Sequence, residues 1–320
     1  RSSAASDVYK RQARAFVFFA ASRAAAPPGR GAGEGRLLGW GAMELHFDEA
    51  FTERTPRIVR AAKLKRAAAR KKEEAFLAEG ENAVEAAVAT GSASDVFATE
   101  DAAHRFAEIL EAAANLDCYV HPITEGAARS LADTVTTPGI FALCRPVTWP
   151  VREALGRSPR LVSVPVGASE PGNAGTLIRT SDALGADAVV LAGESVDPHN
   201  PKVVRASAGS LFHIPVARHT DPAALVDQLH AKGLTVLASA GDGELPLNEA
   251  GEVLAKPTAW LFGNEAHGLD PKIAALADHR VRIPLSGGAE SLNLAAAAAI
   301  LLYESSAAQA AAAPAGDGAL

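Results

Sequence analysis

Three short stretches of the chain combine glycine with polar side chains that are suited to chemistry. They cover residues 169–179, 263–268 and 286–293. The first offers Asn173 and Arg179, the second Glu265, and the third Ser291 and Asn293. An unpaired buried polar group costs about 1–3 kcal/mol, so the Ser and Asn that precede a strongly apolar helix need partners. Such a loop-to-helix junction suits a small polar ligand with an apolar body.

Each of these residues, taken alone, also has a purely structural explanation. Arg179 would be a surface residue of a helix, Asn173 a helix cap and Glu265 an acid in a turn. Ser291 and Asn293 would be caps at the start of a helix, since short polar side chains bond readily to nearby main chain. Only the combination of all three stretches in one place favours a functional site.

Several other kinds of site are poorly supported by the sequence. There is no GxGxxG and no GxxxxGK[ST] pattern, which argues against dinucleotide binding and phosphate cradling. There is no His/Cys cluster with metal spacing, so we expect no metal, and His267 is a lone histidine in a turn. Cys118 and Cys144 are too few for a disulfide framework and fit buried hydrophobes in a reducing cytoplasm. No apolar run approaches the roughly 18–20 residues of a membrane span, so no membrane partner is expected.

Alternating strands and helices predict a parallel α/β sheet over the last half of the chain. The predicted strands are Leu161–Val166, Ala188–Ala192, Leu211–Val216, Leu234–Ser239, Thr258–Phe262 and Val281–Leu285. The predicted helices are one carrying Asn173 to Leu184, then Pro201–Gly209, Pro222–Lys232, Pro271–Ala277 and Leu292–Tyr303, the last capped by Ser291. Ligands of such sheets gather beyond the carboxyl ends of the strands, which is where the three stretches lie.

The preceding part of the chain predicts a smaller α/β layer. Its strands are expected around Ala75–Leu77, Asp95–Ala98, Cys118–Val120 and Ile140–Leu143, and its helices over 83–90 and 102–114. Before them, Arg57–Lys72 holds eight Lys or Arg and no acid, in a chain of net charge -6. We expect one helix there, with a cationic face that is either solvated surface or a patch contacting nucleic-acid phosphates.

With 320 residues, 48% of them hydrophobic, the chain is long enough for two domains. We expect a non-native or disordered leader over 1–42, with the protein proper starting at Met43. A small α/β domain follows over 43–150 and a larger α/β domain over 151–306. The Ala-, Pro- and Gly-rich residues 307–320 are expected to be a disordered tail.

The three stretches, in their order and spacing, resemble the SpoU/TrmH class of the SPOUT RNA methyltransferases. The matching motifs are N-A-G-T-L-I-R over 173–179, F-G-N-E-A-H-G-L over 262–269, and I-P-L over 283–285 with S-L-N over 291–293. The smaller domain, with FLAEGENAV, VFAT and LADTVTTPGIFALC, resembles the substrate-binding domain in front of some RNA ribose methyltransferases. That domain looks like ribosomal proteins that bind kinked RNA.

The resemblance implies a deep trefoil knot at the C-terminal end of the sheet, with S-adenosylmethionine bound inside it in a bent form. Main-chain groups at Gly263, Ile283 and Leu292 would hold the adenine and ribose of this cofactor. Apolar walls and main-chain hydrogen-bonding groups suit such a role. The resemblance also implies a homodimer whose pocket lies close to the partner chain.

The reaction implied by the resemblance is methyl transfer to a ribose 2′-hydroxyl of RNA. Arg179 would anchor phosphate and hydroxyl and lower the pKa of that hydroxyl. It would remove the proton itself only in an unusual environment, because an arginine side chain holds its own proton very tightly. Asn173 would position Arg179 or the ribose, and Glu265, Ser291 and Asn293 would complete the polar shell.

Ribosomal RNA is favoured over transfer RNA because of the smaller domain, and a resistance-type enzyme acting on one ribosomal adenosine is a special case of the same class. The alternatives are a tRNA 2′-O-methyltransferase, a knotted RNA-binding protein without catalysis, and an α/β enzyme using a nucleotide cofactor.

Overall fold

A computed structural model describes residues 45–264 and 267–313. The predictions on the leader, on a start at Met43, on Glu265 and on residues 314–320 lie outside this range. The chain divides into two compact units after Pro146. The division falls four residues before the predicted one, because Thr148–Trp149 forms a strand in the sheet of the second unit.

The first unit is built on a four-stranded sheet of order β1-β4-β2-β3. Its strands are β1 (Phe76–Glu79), β2 (Ala93–Ala98), β3 (Tyr119–Pro122) and β4 (Ile140–Cys144). The central strand β4 is antiparallel to both β1 and β2, and β2 and β3 are parallel. Buried Phe97 and Phe141 form part of the core on one face of the sheet. The four predicted strands are confirmed to within two residues.

Six helices surround this sheet in the described part of the unit. They are α1 (Pro56–Ala62), α2 (Ala67–Glu73), α3 (Glu81–Ala89), α4 (Glu100–Arg105), α5 (Ala107–Asn115) and α6 (Glu125–Leu131). The predicted helix over 102–114 is two helices with a break at Phe106, whose backbone leaves the helical region at φ -118° and ψ 34°.

The prediction of one helix over Arg57–Lys72 is wrong. A 3₁₀ turn over Lys63–Lys65 follows α1, and Arg66 has an extended backbone before α2 begins. The side chain of Arg70, which is 6% exposed, donates to the carbonyls of Leu64 and Lys65 at 3.0 Å each. Buried arginine needs such partners, and these bonds hold the turn closed.

The second unit contains an eight-stranded sheet in which every pair of neighbours is parallel. Its strands are β5 (Thr148–Trp149), β6 (Leu161–Pro165), β7 (Ala188–Ala192), β8 (Val216–His219), β9 (Thr235–Ser239), β10 (Leu245–Pro246), β11 (Thr258–Phe262) and β12 (His279–Arg282). The strand order is β10-β12-β9-β11-β6-β7-β8-β5. The predicted parallel α/β sheet is confirmed.

Two predicted strands of this unit need correction. The run Leu211–Val216 is a 3₁₀ turn at Ser210–Phe212, and the strand begins only at Val216. The last strand occupies His279–Arg282 and not Val281–Leu285.

The described helices of the second unit are α7 (Val151–Ala154), α8 (Pro171–Ala183), α9 (Pro201–Ala206), α10 (Pro222–Ala231), α11 (Gly251–Leu254), α12 (Pro271–Ala274) and α13 (Leu294–Ala312). The predicted helices over 201–209 and 271–277 are three residues longer at their C-terminal ends than α9 and α12. Gly175 brings α8 against α9 so closely that an added Cβ would lie 2.6 Å from the Ala206 Cβ.

Helix α13 extends well beyond its predicted end at Tyr303. Residues 307–312, assigned to the disordered tail, are helical. Hydrogen bonds to the rest of the unit hold these last turns in place. The indole of buried Trp260 donates to the Ser305 hydroxyl at 2.8 Å, and the Gln309 amide donates to the carbonyls of Arg160 and Lys256 at 3.0 and 2.9 Å.

By length and composition, α13 also meets the requirement for crossing a membrane, contrary to the expectation from the sequence. Its Ala298, Leu301 and Leu302 are fully buried, and the helix contacts β6, β11 and α8. This packing is that of a core helix with one side on the sheet.

Candidate functional site

The three predicted stretches follow β6, β11 and β12, whose carboxyl ends lie at one edge of the parallel sheet. Strand β6 lies between β11 and β7, so the chain order of the sheet reverses next to it. Ligands of open α/β sheets bind at such a switch point. The fold therefore brings the three stretches to the edge where a site is expected.

The first loop is fixed from both sides of β6. The Val166 N–H donates to the Phe262 carbonyl at 2.7 Å, and the Gly167 N–H donates to the Ala192 carbonyl at 3.0 Å. Gly167 has φ +66°, a left-handed conformation that favours glycine. Helix α8 then begins at Pro171 and is capped by Glu170, not by Asn173.

The second loop turns back on itself directly after β11. Asn264 and Gly268 exchange two main-chain hydrogen bonds of 2.8 and 2.9 Å. An added Cβ on Gly263 would lie 2.2 Å from the Leu269 nitrogen, so only glycine fits there. The Asn264 amide donates to the Gly167 carbonyl at 2.7 Å and to the Ser169 hydroxyl at 3.3 Å, which joins the second loop to the first.

The third loop leads from β12 into α13. Ile283 is half-buried, and residues 284–293 are exposed. Asn293, and not the predicted Ser291, caps α13: its Oδ1 accepts from the Ala295 N–H at 2.9 Å. The Nδ2 of the same Asn293 donates to Asn173 Oδ1 at 3.1 Å. This bond joins the third loop to the start of α8.

The structure thus brings together Asn173 and Asn293, two of the predicted site residues. Arg179 is exposed on α8 and makes no hydrogen bond or ion pair with the residues that the structure describes. Ser291 is also exposed, as is Leu292 with a relative exposure of 38%. No described contact joins Arg179 or Ser291 to the asparagine pair.

Sequence reasoning assigned no role to Asn264, although it lies inside the second motif. Its link to the first loop is the feature that joins those two loops. The signal available was its place between Gly263 and Glu265, where an amide can bond both to its own loop and to a neighbouring one.

The loop after β9 was missed entirely. Strand β9 lies between β12 and β11, so the loop over residues 240–244, which follows β9, lies at the same carboxyl ends of the strands as the other loops. The Arg280 guanidinium contacts Asp242 at 3.1 Å and Glu244 at 3.0 Å. Hydrogen bonds from the main-chain N–H of Arg280, then from that of Glu244, lower the pKa of the Glu244 carboxyl, which Arg280 also lowers by its charge.

Clusters of metal-ligating side chains and exposed thiols are both absent from the part of the chain that the structure describes. It contains no group of three or more His, Cys, Asp or Glu able to hold a metal ion. Cys118 and Cys144 are both buried, and burial raises the pKa of each thiol, that of Cys118 to about 11.

Comparison with known proteins identifies both units. Residues 160–303 match the SpoU rRNA Methylase family, and residues 55–142 match the MRM3-like substrate binding domain. A Bacillus subtilis protein named 23S rRNA (guanosine(2553)-2′-O)-methyltransferase RlmP is 36% identical over 227 residues, which are 71% of this chain and 86% of that protein. The chain belongs to the SpoU rRNA methylase family. The family predicted from the three motifs is therefore confirmed.

Solved structures extend the SpoU assignment to the fold of both units. The SpoU methyltransferase AviRb from Streptomyces viridochromogenes, crystallised with AdoMet (S-adenosylmethionine), has a TM-score of 0.71 and 26% identity, covering 80% of this chain and 99% of its own. An AdoMet-bound rRNA methyltransferase from Sinorhizobium meliloti has a TM-score of 0.70 and 28% identity, covering 80% of this chain and 97% of its own.

Proposed function

We propose that this chain transfers a methyl group from S-adenosylmethionine to a ribose 2′-hydroxyl of ribosomal RNA. The observation that carries the proposal is the joining of all three SpoU loops at one edge of the sheet, by Asn264 and by the Asn173–Asn293 bond. The related enzyme of B. subtilis is named for this reaction on 23S rRNA. The substrate-binding domain in front, at residues 55–142, favours ribosomal over transfer RNA.

The second and third loops fit the cofactor. No hydrogen bond among the described residues involves the main chain of 284–292, so its donors and acceptors are available to read an adenine edge. Leu285 and Leu292, which are 42% and 38% exposed, supply apolar surface beside them. Main-chain groups at Gly263, Ile283 and Leu292 would hold the adenine and ribose, as pocket walls of this kind do.

The cofactor supplies an electrophilic methyl group on a sulfonium. The protein's own residues need only hold the ribose hydroxyl in line and help to remove its proton. Arg179 anchors the phosphate and the hydroxyl and favours the ionised hydroxyl by its charge. Asn173 and Asn293 position the ribose, and Ser291 and Glu265 complete the polar shell.

The family assignment supports a trefoil knot formed by the chain from β11 through β12 to α13.

The family assignment also supports a homodimer, and the surface of α13 offers a physical reason. The side chains at 296, 300, 303, 307 and 310 are all apolar and exposed, at alternating spacings of four and three residues. Ile300 and Tyr303 are 37% and 60% exposed. This spacing is the seam that one helix presents to another. Action on ribosomal RNA supports a cytoplasmic location.

Two measurements test the proposal. S-adenosylmethionine at 100 times its dissociation constant is expected to raise the free energy of unfolding by about 2.7 kcal/mol, while NAD and ATP leave it unchanged. Stabilisation by NAD or ATP instead would favour another α/β enzyme.

The second measurement follows labelled methyl transfer to unmodified 23S rRNA and to tRNA, with 2′-O-methylation read as resistance to alkaline hydrolysis. We expect Arg179→Ala to lower the rate by about 10²–10⁴-fold while RNA binding stays nearly intact. Full activity of Arg179→Ala would remove the role given to this arginine. Transfer to tRNA alone would favour a tRNA 2′-O-methyltransferase, and binding without transfer would favour a knotted RNA-binding protein without catalysis.

A further inference from the structure

Cations recur at every third residue along α1 and its flanks. They are Arg54, Arg57, Arg60, Lys63 and Arg66, with no acid among residues 54–66. Residues three apart are neighbours on a helix surface, and like charges at that spacing destabilise the helix. A row of this kind is favourable only where acids or other anions lie against it.

Two of the three inner members of the row have acids of their own. Arg57 contacts Asp95 on β2 at 2.9 Å, and Arg60 contacts Glu73 on α2 at 2.6 Å. The Asp95 carboxylate also bonds to His121 on β3 at 2.9 Å. Arg57 and Arg60 therefore attach α1 to the sheet and to α2.

Two further cations of residues 54–72 donate hydrogen bonds to main-chain carbonyls within the first unit. Arg70 is buried and bonds to main-chain carbonyls. The Lys65 ammonium donates to the Ser130 carbonyl at 2.9 Å. Neither is available to a ligand without breaking these bonds.

Three of the five remaining cations lie at one groove between α1 and α2, with a volume of about 620 Å³. Arg54, Arg60, Lys63 and Lys72 line it, against a single carboxylate, that of Glu73. Arg54, Lys63 and Lys72 have no acidic partner among residues 45–264 and 267–313. In a chain of net charge -6, this concentration is local.

We propose that this groove, the α1–α2 groove, binds phosphates of the substrate RNA, with Arg54, Lys63 and Lys72 as the contacts. The inference rests on the proposed function, because it assigns the RNA to one face of the substrate-binding domain. Lysine and arginine bind phosphates without regard to base sequence, and such contacts fix register and orientation. The groove therefore positions the RNA and does not select the methylated nucleotide.

The test compares the full-length protein with Lys63→Gln/Lys72→Gln and with Lys71→Gln. Lys71 carries the same charge in the same helix, is exposed, and does not line the groove. The dissociation constant for an unmodified 23S rRNA transcript is measured from about 50 to 200 mM salt. Each lost phosphate contact makes the slope of log K against log salt shallower by about 0.7–0.9. We expect a change of about 1.4–1.8 for the double variant and none for Lys71→Gln.

If the slope of log K against log salt is the same for the double variant as for the wild type, the proposed RNA contacts of the α1–α2 groove are wrong. In methyl transfer, the double variant should raise KM for RNA and leave kcat unchanged. Binding needs no catalysis, so a wild-type protein that methylates no RNA would overturn the proposed function alone. If the double variant does not fold, judged by its thermal transition, Lys63→Gln and Lys72→Gln are measured singly, each with half the slope change expected.

Discussion

The Asn293 side chain makes two hydrogen bonds, and a single substitution can remove one and keep the other. Its oxygen caps α13 and its nitrogen donates to Asn173. Asn293→Asp keeps the capping oxygen and removes the donor, so we expect the free energy of unfolding to change by less than about 0.5 kcal/mol while methyl transfer falls. Asn293→Ala removes both, and we expect a loss of about 1 kcal/mol. Denaturant unfolding and single-turnover transfer check the pair; an Asp variant with full activity would contradict the positioning role.

The carboxylate of Asp95 makes the first unit sensitive to acid. Burial raises its pKa, but hydrogen bonds from His121 and Ser94 and the charge of Arg57 outweigh burial and hold the pKa below its usual 3.8. A lowered pKa gives stability that is present above the ordinary value and is lost as the pH falls through the lowered one.

We therefore expect the thermal transition of the wild type to fall more steeply below about pH 4 than that of Asp95→Asn. The two curves should converge in acid and differ most at neutral pH. Parallel curves from pH 6 to 2.5 would show that the ionised carboxylate contributes nothing.

The two thiols are expected to be unreactive in the folded protein. The thiolate is the reactive form, and burial, with the charge of Asp95 as a lesser cause, raises the pKa of Cys118 to about 11. Iodoacetamide at pH 8 should label neither cysteine until denaturant is added, when both should react, as counted by mass spectrometry. Rapid labelling of Cys118 without denaturant would show that its strand edge opens readily.

At the scale of elements, the second loop depends on the close approach of Gly263 to Leu269. We expect Gly263→Ala to cost about 1–3 kcal/mol, as other overpacked sites do, and to weaken S-adenosylmethionine binding. Gly287→Ala is the matched control, because an added Cβ there meets nothing within 4 Å. Thermal unfolding with and without the cofactor measures both effects. Equal stability of the two variants would mean that the loop can move aside.

The strands that could be predicted best from the sequence are short apolar runs with a turn-forming residue at each end, Asp or Pro before the run and Gly after it. Ala188–Ala192 and Thr258–Phe262 are five-residue apolar strands, and both match the structure residue for residue. The run Leu211–Val216 is also mostly apolar, but it contains His213 and Pro215. A 3₁₀ turn over Ser210–Phe212 occupies its start, directly after Gly209 with φ +95°. A short buried apolar run does not by itself distinguish the two.

Caps and links between loops could not be predicted in this way. Glu170 caps α8 and Asn293 caps α13, where the sequence favoured Asn173 and Ser291. Several polar residues lie near each helix start, and the preference of Ser, Thr, Asp and Asn for the cap position does not identify Glu170. The choice is made by tertiary contacts, here the bond between Asn173 and Asn293, which links residues 120 positions apart.

At the scale of the whole molecule, the two units carry different parts of the proposed function. The basic residues 54–72 belong to the first unit, and the three SpoU loops belong to the second. The net charge of -6 over the whole chain therefore does not indicate the function of either unit. The sequence predicted this division because both the cationic run and the motifs are local patterns.

The apolar stripe on α13 bears on the oligomeric state. A helix that packs one side on its own sheet and exposes Ile300 and Tyr303 on the other leaves apolar surface that a second copy would bury.

We expect the protein to be a dimer by sedimentation. We expect the Ile300→Glu/Tyr303→Glu variant to be a monomer, because burying unpaired carboxylates is strongly unfavourable. Ala312→Glu, exposed on the same helix but rotated about 120° around it from Ile300, should remain dimeric. If the pocket lies close to the partner chain, the monomeric variant should also lose methyl transfer while its thermal transition stays cooperative. A wild type that sediments as a monomer at micromolar concentration would leave α13 as a core helix with an unused apolar side.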